Sequence, residues 1–154
     1  MMITVDKREL LEGLRAVNNA LPRNTTMPVL QYIKLIADGS TFTLIGTDMD
    51  LGIEYAIETM VMEKGEVCVP GRLFRSVINS LSGDTVELSL SDNFDLSVKS
   101  SGTSMVVQGV GTDEFPNLPE VSSDKNVCLS PTKLSDMIKG ILPCIAIDTS
   151  RPSL

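Results

Sequence analysis

The sequence predicts an α+β fold, two strand–helix–three-strand repeats whose helices lie paired on one face of antiparallel sheets. Three features predict it. A short apolar strand runs straight into an amphipathic helix at three places: Met2–Val5 into Asp6–Leu21, Glu66–Val69 into Pro70–Leu81, and Asn126–Leu129 into Ser130–Leu142. The strands end at Val5, Val69 and Leu129, so the unit recurs after 64 and then 60 residues, which marks a structural repeat. After each of the first two helices the apolar period falls from the helical value to two, as strands require.

Each element follows from its residues. In the first helix Leu10, Leu14, Val17 and Leu21 recur at i, i+4, i+7 and i+11, while Arg8, Glu12, Arg15 and Asn19 occupy the other face. Val29–Ala37, Thr41–Ile45 and Leu51–Glu58 then alternate or run apolar like strands, with Asp38-Gly39-Ser40 as a turn. In the second helix Phe74, Val77, Ile78 and Leu81 form the apolar stripe opposite Arg72, Arg75 and Asn79. Strands at Thr85–Ser91, Phe94–Ser100 and Met105–Val110 complete that repeat.

The two complete repeats form one domain over residues 1–120, with the polar faces of both helices pointing the same way. Pro116–Asp124, rich in Pro, Ser and acids, reads as a linker, and 121–125 connects to a third unit at 126–154. In that unit Leu134, Met137, Ile138 and Ile141 form a stripe, Ser130 is a natural N-cap, and Pro131 suits the first helical position. Its three strands are missing, so the chain reads as a fragment whose third helix lacks a sheet to cover it.

Composition narrows the function. No run approaches the roughly 18 apolar residues that cross a bilayer, and Asp6, Lys7, Arg8 and Glu9 stand where a signal peptide needs an apolar stretch. A cytoplasmic location follows as the default. There is no histidine, which removes Cys/His zinc sites, Ser-His-Asp triads and the usual neutral-pH base. Of the three cysteines, Cys68 and Cys128 lie in apolar runs and read as small buried hydrophobes. The net charge is −7 but uneven: Lys7–Arg23 and Pro70–Leu81 hold six basic and two acidic residues, net +4. The remainder holds seven basic and eighteen acidic residues, net −11. An acidic protein of this kind can still offer a polyanion one favourable face.

Several local motifs occur in a telling order. Pro28-Val29-Leu30 follows the first helix, Gly46-Thr47-Asp48 ends a strand, Val69-Pro70-Gly71-Arg72 opens the second helix, and Glu114-Phe115-Pro116-Asn117-Leu118-Pro119 closes the domain. With the repeat, they resemble the bacterial DNA polymerase III beta subunit family, the sliding clamps, across essentially the whole chain. The resemblance implies the DNA clamp (processivity) fold and a parent protein that is a ring-shaped homodimer. Duplex DNA threads such a ring without sequence-specific contact. DNA polymerase III and the clamp loader attach through short clamp-binding peptides, and no catalysis, metal or cofactor is involved.

For individual residues, the resemblance implies DNA contacts from Arg8, Arg15, Arg72 and Arg75 on the helix faces and from the loop Pro22–Pro28. In that loop the family often places an arginine one position after Arg23, where this chain has Asn24, so Arg23 and Asn24 share the assignment. Thr149 matches a family position near DNA. Leu73 and Asn79 stand where relatives often carry a basic residue. Met105 and Val107 on the last strand, with Leu73, are assigned to the dimer interface, where strand adds to strand. Arg151 and Leu154 match positions bordering the partner-peptide pocket.

Asp48 and Asp50 are the only pair resembling a metal or acid/base site, and an Asp-x-Asp at a strand end reads as a turn with solvated acids. The competing reading of the repeat is an interaction scaffold that never touches nucleic acid. The acidic total favours the scaffold; the segregated basic helix faces favour the clamp.

Overall fold

A computed structural model describes residues 1–118 and 127–145, which fall into two units, Met1–Leu118 and Pro119–Leu154. The first unit contains two antiparallel sheets. One has the order β5-β1-β7-β8-β9, with β1 Met2–Asp6, β5 Val61–Glu63, β7 Thr85–Leu90, β8 Asp95–Ser100 and β9 Thr103–Gln108. The other has the order β4-β3-β2-β6, with β2 Tyr32–Asp38, β3 Thr41–Thr47, β4 Gly52–Glu58 and β6 Gly65–Pro70.

The pairing exchanges strands between repeats. The first strand of the first repeat, β1, pairs with β7 of the second through Ile3↔Leu88 and Val5↔Val86. The first strand of the second repeat, β6, pairs with β2 of the first through Ile33↔Val69 and Leu35↔Val67. Each three-strand meander is thus closed by a strand from the other repeat. The alternation of every strand decides which side chains turn inward. Ile3, Val5, Ile33, Leu35, Phe42, Leu44, Val67, Val69, Val86, Leu88, Leu96 and Val98 are buried in one core.

Two helices seal that core, α1 Lys7–Asn18 and α2 Gly71–Ser80. Helix α1 starts where the Asp6 carboxylate accepts the Arg8 and Glu9 N–H groups at 2.8 and 3.1 Å, an N-cap that satisfies two otherwise orphaned donors. It buries Leu10, Gly13, Leu14 and Val17, while α2 buries Gly71, Phe74 and Ile78. Close approach requires glycine at two places. A Cβ on Gly13 would stand 2.7 Å from the Tyr55 ring, and one on Gly46 would stand 2.6 Å from Val17 Cγ1 and 3.0 Å from its carbonyl oxygen. Helix α1 therefore lies almost on the backbone of β3.

Some sequence expectations shift. The strand expected from Val29 begins only at Tyr32, because Pro28–Gln31 forms a 3-10 turn with Leu30 N–H donating to the Met27 carbonyl. Val61–Glu63 is a strand the sequence did not announce. It is too short for a visible alternation and exists through pairing of Val61 with Ile3 and Glu63 with Met2. The strand expected at Met105–Val110 is β9, shifted two residues earlier, and Val110 instead exchanges two backbone bonds with Cys68, at 3.0 and 2.9 Å.

In the second unit α3 spans Pro131–Ile141, with Ser130 Oγ capping it by accepting the Lys133 N–H. Residues 127–129 form no strand. The expectation that Cys128 is buried is corrected with it, because an apolar run without a sheet partner has nothing to bury it: Cys128, Val127 and Leu129 are all exposed. The stripe Leu134, Met137, Ile138 and Ile141 is exposed too.

Cys68 is fully buried, and burial pushes its thiol up to about 11; the thiolate, which is the reactive form, is therefore scarce at neutral pH. Alkylation of the native chain at pH 7.5 should label Cys128 and Cys144 quickly and Cys68 only after denaturation, as read by peptide mass spectrometry. Gly46→Ala should destabilise by about 1–3 kcal/mol through overpacking. Val17→Ala in the same chain should return part of that loss, a coupling that denaturant unfolding of both single variants and the double variant would measure.

Candidate nucleic-acid interface

The two helices run antiparallel, side by side. Lys7, at the start of α1, donates its Nζ to the carbonyl of Leu81 at the end of α2, and its N–H donates to Asp84 O at 2.8 Å. At the opposite end a Cβ on Gly71 would touch Leu21 Cδ1 at 3.1 Å, and Arg72 Nη2 donates to Pro22 O at 3.5 Å. A cation at a helix C-terminus meets unpaired carbonyls and the negative end of the helix dipole. Lys7 is thus used to fasten the helices and is withdrawn from the exposed basic set.

What remains is an open groove between the helices. Leu11, Arg15 and Asn18 line it from α1, and Arg72, Arg75, Ser76 and Asn79 from α2. Beyond the end of α1 it continues past Asn19 to Arg23. Four guanidinium groups, those of Arg15, Arg23, Arg72 and Arg75, border this surface and no carboxylate lines it. All four residues are exposed. Among the described residues the one salt bridge is Lys34–Glu66, at 3.1 Å between β2 and β6, so none of the four arginines is ion-paired with a described residue. Asn18 donates Nδ2 to Leu14 O at 2.7 Å, leaving its buried Oδ1 without a partner beside the groove.

Such a surface has the chemistry that suits anions. Guanidinium groups on long stems give charge-assisted bonds to phosphate while tolerating small displacements. The groove lacks Trp, Tyr, Phe and His, so it offers no stacking platform for single strands.

The other expected residues divide clearly. Arg8 is exposed seven residues before Arg15, about 10 Å along the same helix face, and it lies outside the groove lining. Asn24 is exposed but does not line the groove. Asn18 and Ser76 join the groove although charge counting did not select them. Thr149, Arg151 and Leu154 lie outside the described residues. On β9, an edge strand, Met105 is half-buried, but Val107 is 1% exposed and packs into the domain's own core. The two-residue period turns the Val107 side chain inward and Val106, 63% exposed, outward, so a strand-to-strand contact at this edge would use the backbone of β9 rather than the Val107 side chain. Leu73 is 53% exposed on α2.

Asp48 is a turn former. Its Oδ1 accepts the N–H of Asp50 at 3.1 Å and of Leu51 at 2.7 Å, while Met49 takes a φ of 83°. Among the described residues no cluster of three or more His, Cys, Asp or Glu could hold a metal, and no helix is long and apolar enough to cross a membrane.

Two interlocked repeats carrying a paired, cation-faced set of helices define a DNA-clamp domain. The chain belongs to the DNA polymerase III beta subunit N-terminal domain family, whose profile matches residues 1–119. It is 30% identical to the beta sliding clamp of Staphylococcus aureus and 26% identical to that of Halalkalibacterium halodurans, in each case over the whole of this chain and 43% of the relative. Its fold matches the sliding clamp of Bacillus subtilis with a TM-score of 0.93 at 24% identity, covering 99% of this chain and 42% of that one. A DNA polymerase III beta subunit from Eubacterium rectale matches with a TM-score of 0.93 at 26% identity, covering 98% and 41%. The chain therefore spans less than half the length of the relatives it matches.

Because the four arginines are exposed and form no ion pair with a described residue, and the one Arg72 contact with Pro22 O is long and exposed, replacing any one by Gln should change unfolding free energy by no more than about 0.5 kcal/mol. Inorganic tripolyphosphate should raise the melting temperature of the unaltered chain through binding to the folded state. It should raise that of an Arg72→Gln/Arg75→Gln variant less, as read by calorimetry.

Proposed function

We propose that this domain forms part of a ring that encircles duplex DNA, and that the parent protein is the processivity factor that tethers DNA polymerase III during replication. The observation that carries this reading is the groove: both helices of an acidic chain turn unneutralised guanidinium groups to one carboxylate-free face. Sliding needs phosphate contacts that are long-armed and indifferent to base sequence. Arg15, Arg23, Arg72 and Arg75 suit that role, with Arg8 extending the face of α1 and Asn24 and Thr149 as further polar contacts. A scaffold that avoided nucleic acid would have no use for such segregation.

The edge of one sheet supports ring closure. Strand β9, which carries Met105 and Val107 and turns Val106 outward, lies at the edge of its sheet, and Leu73 is exposed on α2. An edge of this kind invites strand addition, and we assign it to the homodimer contact of the parent ring. The domain serves binding alone, without catalysis or cofactor, in the cytoplasm. The polymerase and clamp loader would attach through short peptides at a pocket to which Arg151 and Leu154 contribute.

The test uses the complete parent protein, its loader and nicked circular DNA. After loading at moderate salt, the protein should stay on the circle and be lost when the circle is linearised. Equal retention on both forms would mean ordinary surface binding and would end the ring reading. In direct duplex binding, each arginine that contacts phosphate should lower the salt slope by about 0.9 when replaced by Gln.

A further inference from the structure

A second surface of opposite character lies away from the helix groove. Pro28, Val29 and Tyr32, from the 3-10 turn and the start of β2, face Val110, Asp113 and Glu114 across a cleft. Its apolar part is accessible: Val110 is 42% exposed, and Val29 and Tyr32 are half-buried. Asp113 and Glu114 are exposed on its rim. The single ion pair among the described residues, Lys34–Glu66, does not involve either acid.

The wall carrying these acids is fixed in place by the fold. Val110 exchanges two backbone bonds with Cys68, at 3.0 and 2.9 Å. Thr112 Oγ1 donates to Glu66 Oε1 at 2.6 Å, and Lys34 Nζ holds the other oxygen of that carboxylate at 3.1 Å. These two partners, the Thr112 hydroxyl first, hold the Glu66 carboxyl below its usual range. Phe115 anchors the far end of the loop, 6% exposed, with its N–H donating to Thr112 O at 3.1 Å. A cleft whose walls are already held loses little freedom when it is filled.

We propose that this cleft docks a short extended segment of a partner protein, one that carries an apolar side chain flanked by lysine or arginine. Apolar lining with two unpaired carboxylates at the rim is complementary to that chemistry and repels phosphate, so the partner surface is protein rather than nucleic acid. The same acids keep this face distinct from the arginine groove, and the domain can hold a polyanion and a basic peptide at once.

The probe is an acetylated, amidated pentapeptide alternating lysine and leucine, with its glutamate–leucine counterpart as control, titrated into 15N-labelled chain. The basic peptide should move the amide resonances of Val29, Tyr32, Val110 and Gly111, and the acidic one should leave them in place. Asp113→Asn/Glu114→Gln should weaken binding about tenfold, the scale of two exposed charge pairs, with the spectrum otherwise unchanged. Val110→Ser, removing apolar contact from an exposed side chain without changing charge, should weaken it as well. Shifts spread over other acidic surfaces, no shifts at all, or undiminished binding by the double variant would overturn the proposal. Concentration-dependent shifts at the same residues without peptide would overturn it in favour of a second copy of this chain.

Discussion

Strand exchange between the repeats is the constraint on which the rest of this domain depends. The first meander lacks its outer strand until β6 arrives beside β2, and the second lacks one until β1 arrives beside β7. Burial follows from those two pairings, because Ile3 and Val5 complete one sheet while Val67 and Val69 complete the other. Each helix leaves its own repeat's first strand directly, so closing the sheets also fixes where the helices lie. The result is an antiparallel pair, fastened at one end by Lys7 on the Leu81 carbonyl and packed closely at the other where Gly71 meets Leu21.

That placement turns a modest charge bias into a site. An isolated amphipathic helix with two arginines is an ordinary solvated surface. Two of them side by side bring Arg15, Arg72 and Arg75 along one groove, and the loop after α1 adds Arg23. The acidic remainder of the chain is kept out of the lining, and the acids of the Val110–Phe115 loop border a separate apolar cleft. Charge separation between two surfaces of one small domain explains how an acidic protein can favour a polyanion without binding it everywhere.

The sequence announced the periodic features well. Leu10, Leu14, Val17, Phe74 and Ile78 are buried where helical spacing put them, and Ser130 caps the helix it precedes, while Asp6, expected as the first helical residue, is the cap of α1. Elements that depend on a distant partner were less legible. Strand β5 has three residues and owes its existence to β1, and Cys128 resembled Cys68 in sequence but has no sheet around it. The Pro28 turn replaced the start of a strand because proline fixes its own φ and donates no N–H. For the site, same-face arginines were readable from spacing. The arrival of Arg23 beside them, the joining of Asn18 and Ser76, and the diversion of Lys7 all required tertiary packing. On β9 the alternation turns Val107 inward and Val106 outward, which spacing alone left undecided.

Native-state hydrogen exchange tests the interlocking most directly. If each repeat is completed only by the other, the amides of Ile3 and Val5 in β1 and of Val67 and Val69 in β6 should open with one free energy. That value should equal the free energy of global unfolding measured by denaturant. Exchange of one strand through a lower-energy opening, with the other repeat still protected, would mean that a repeat holds its structure alone and would contradict the account.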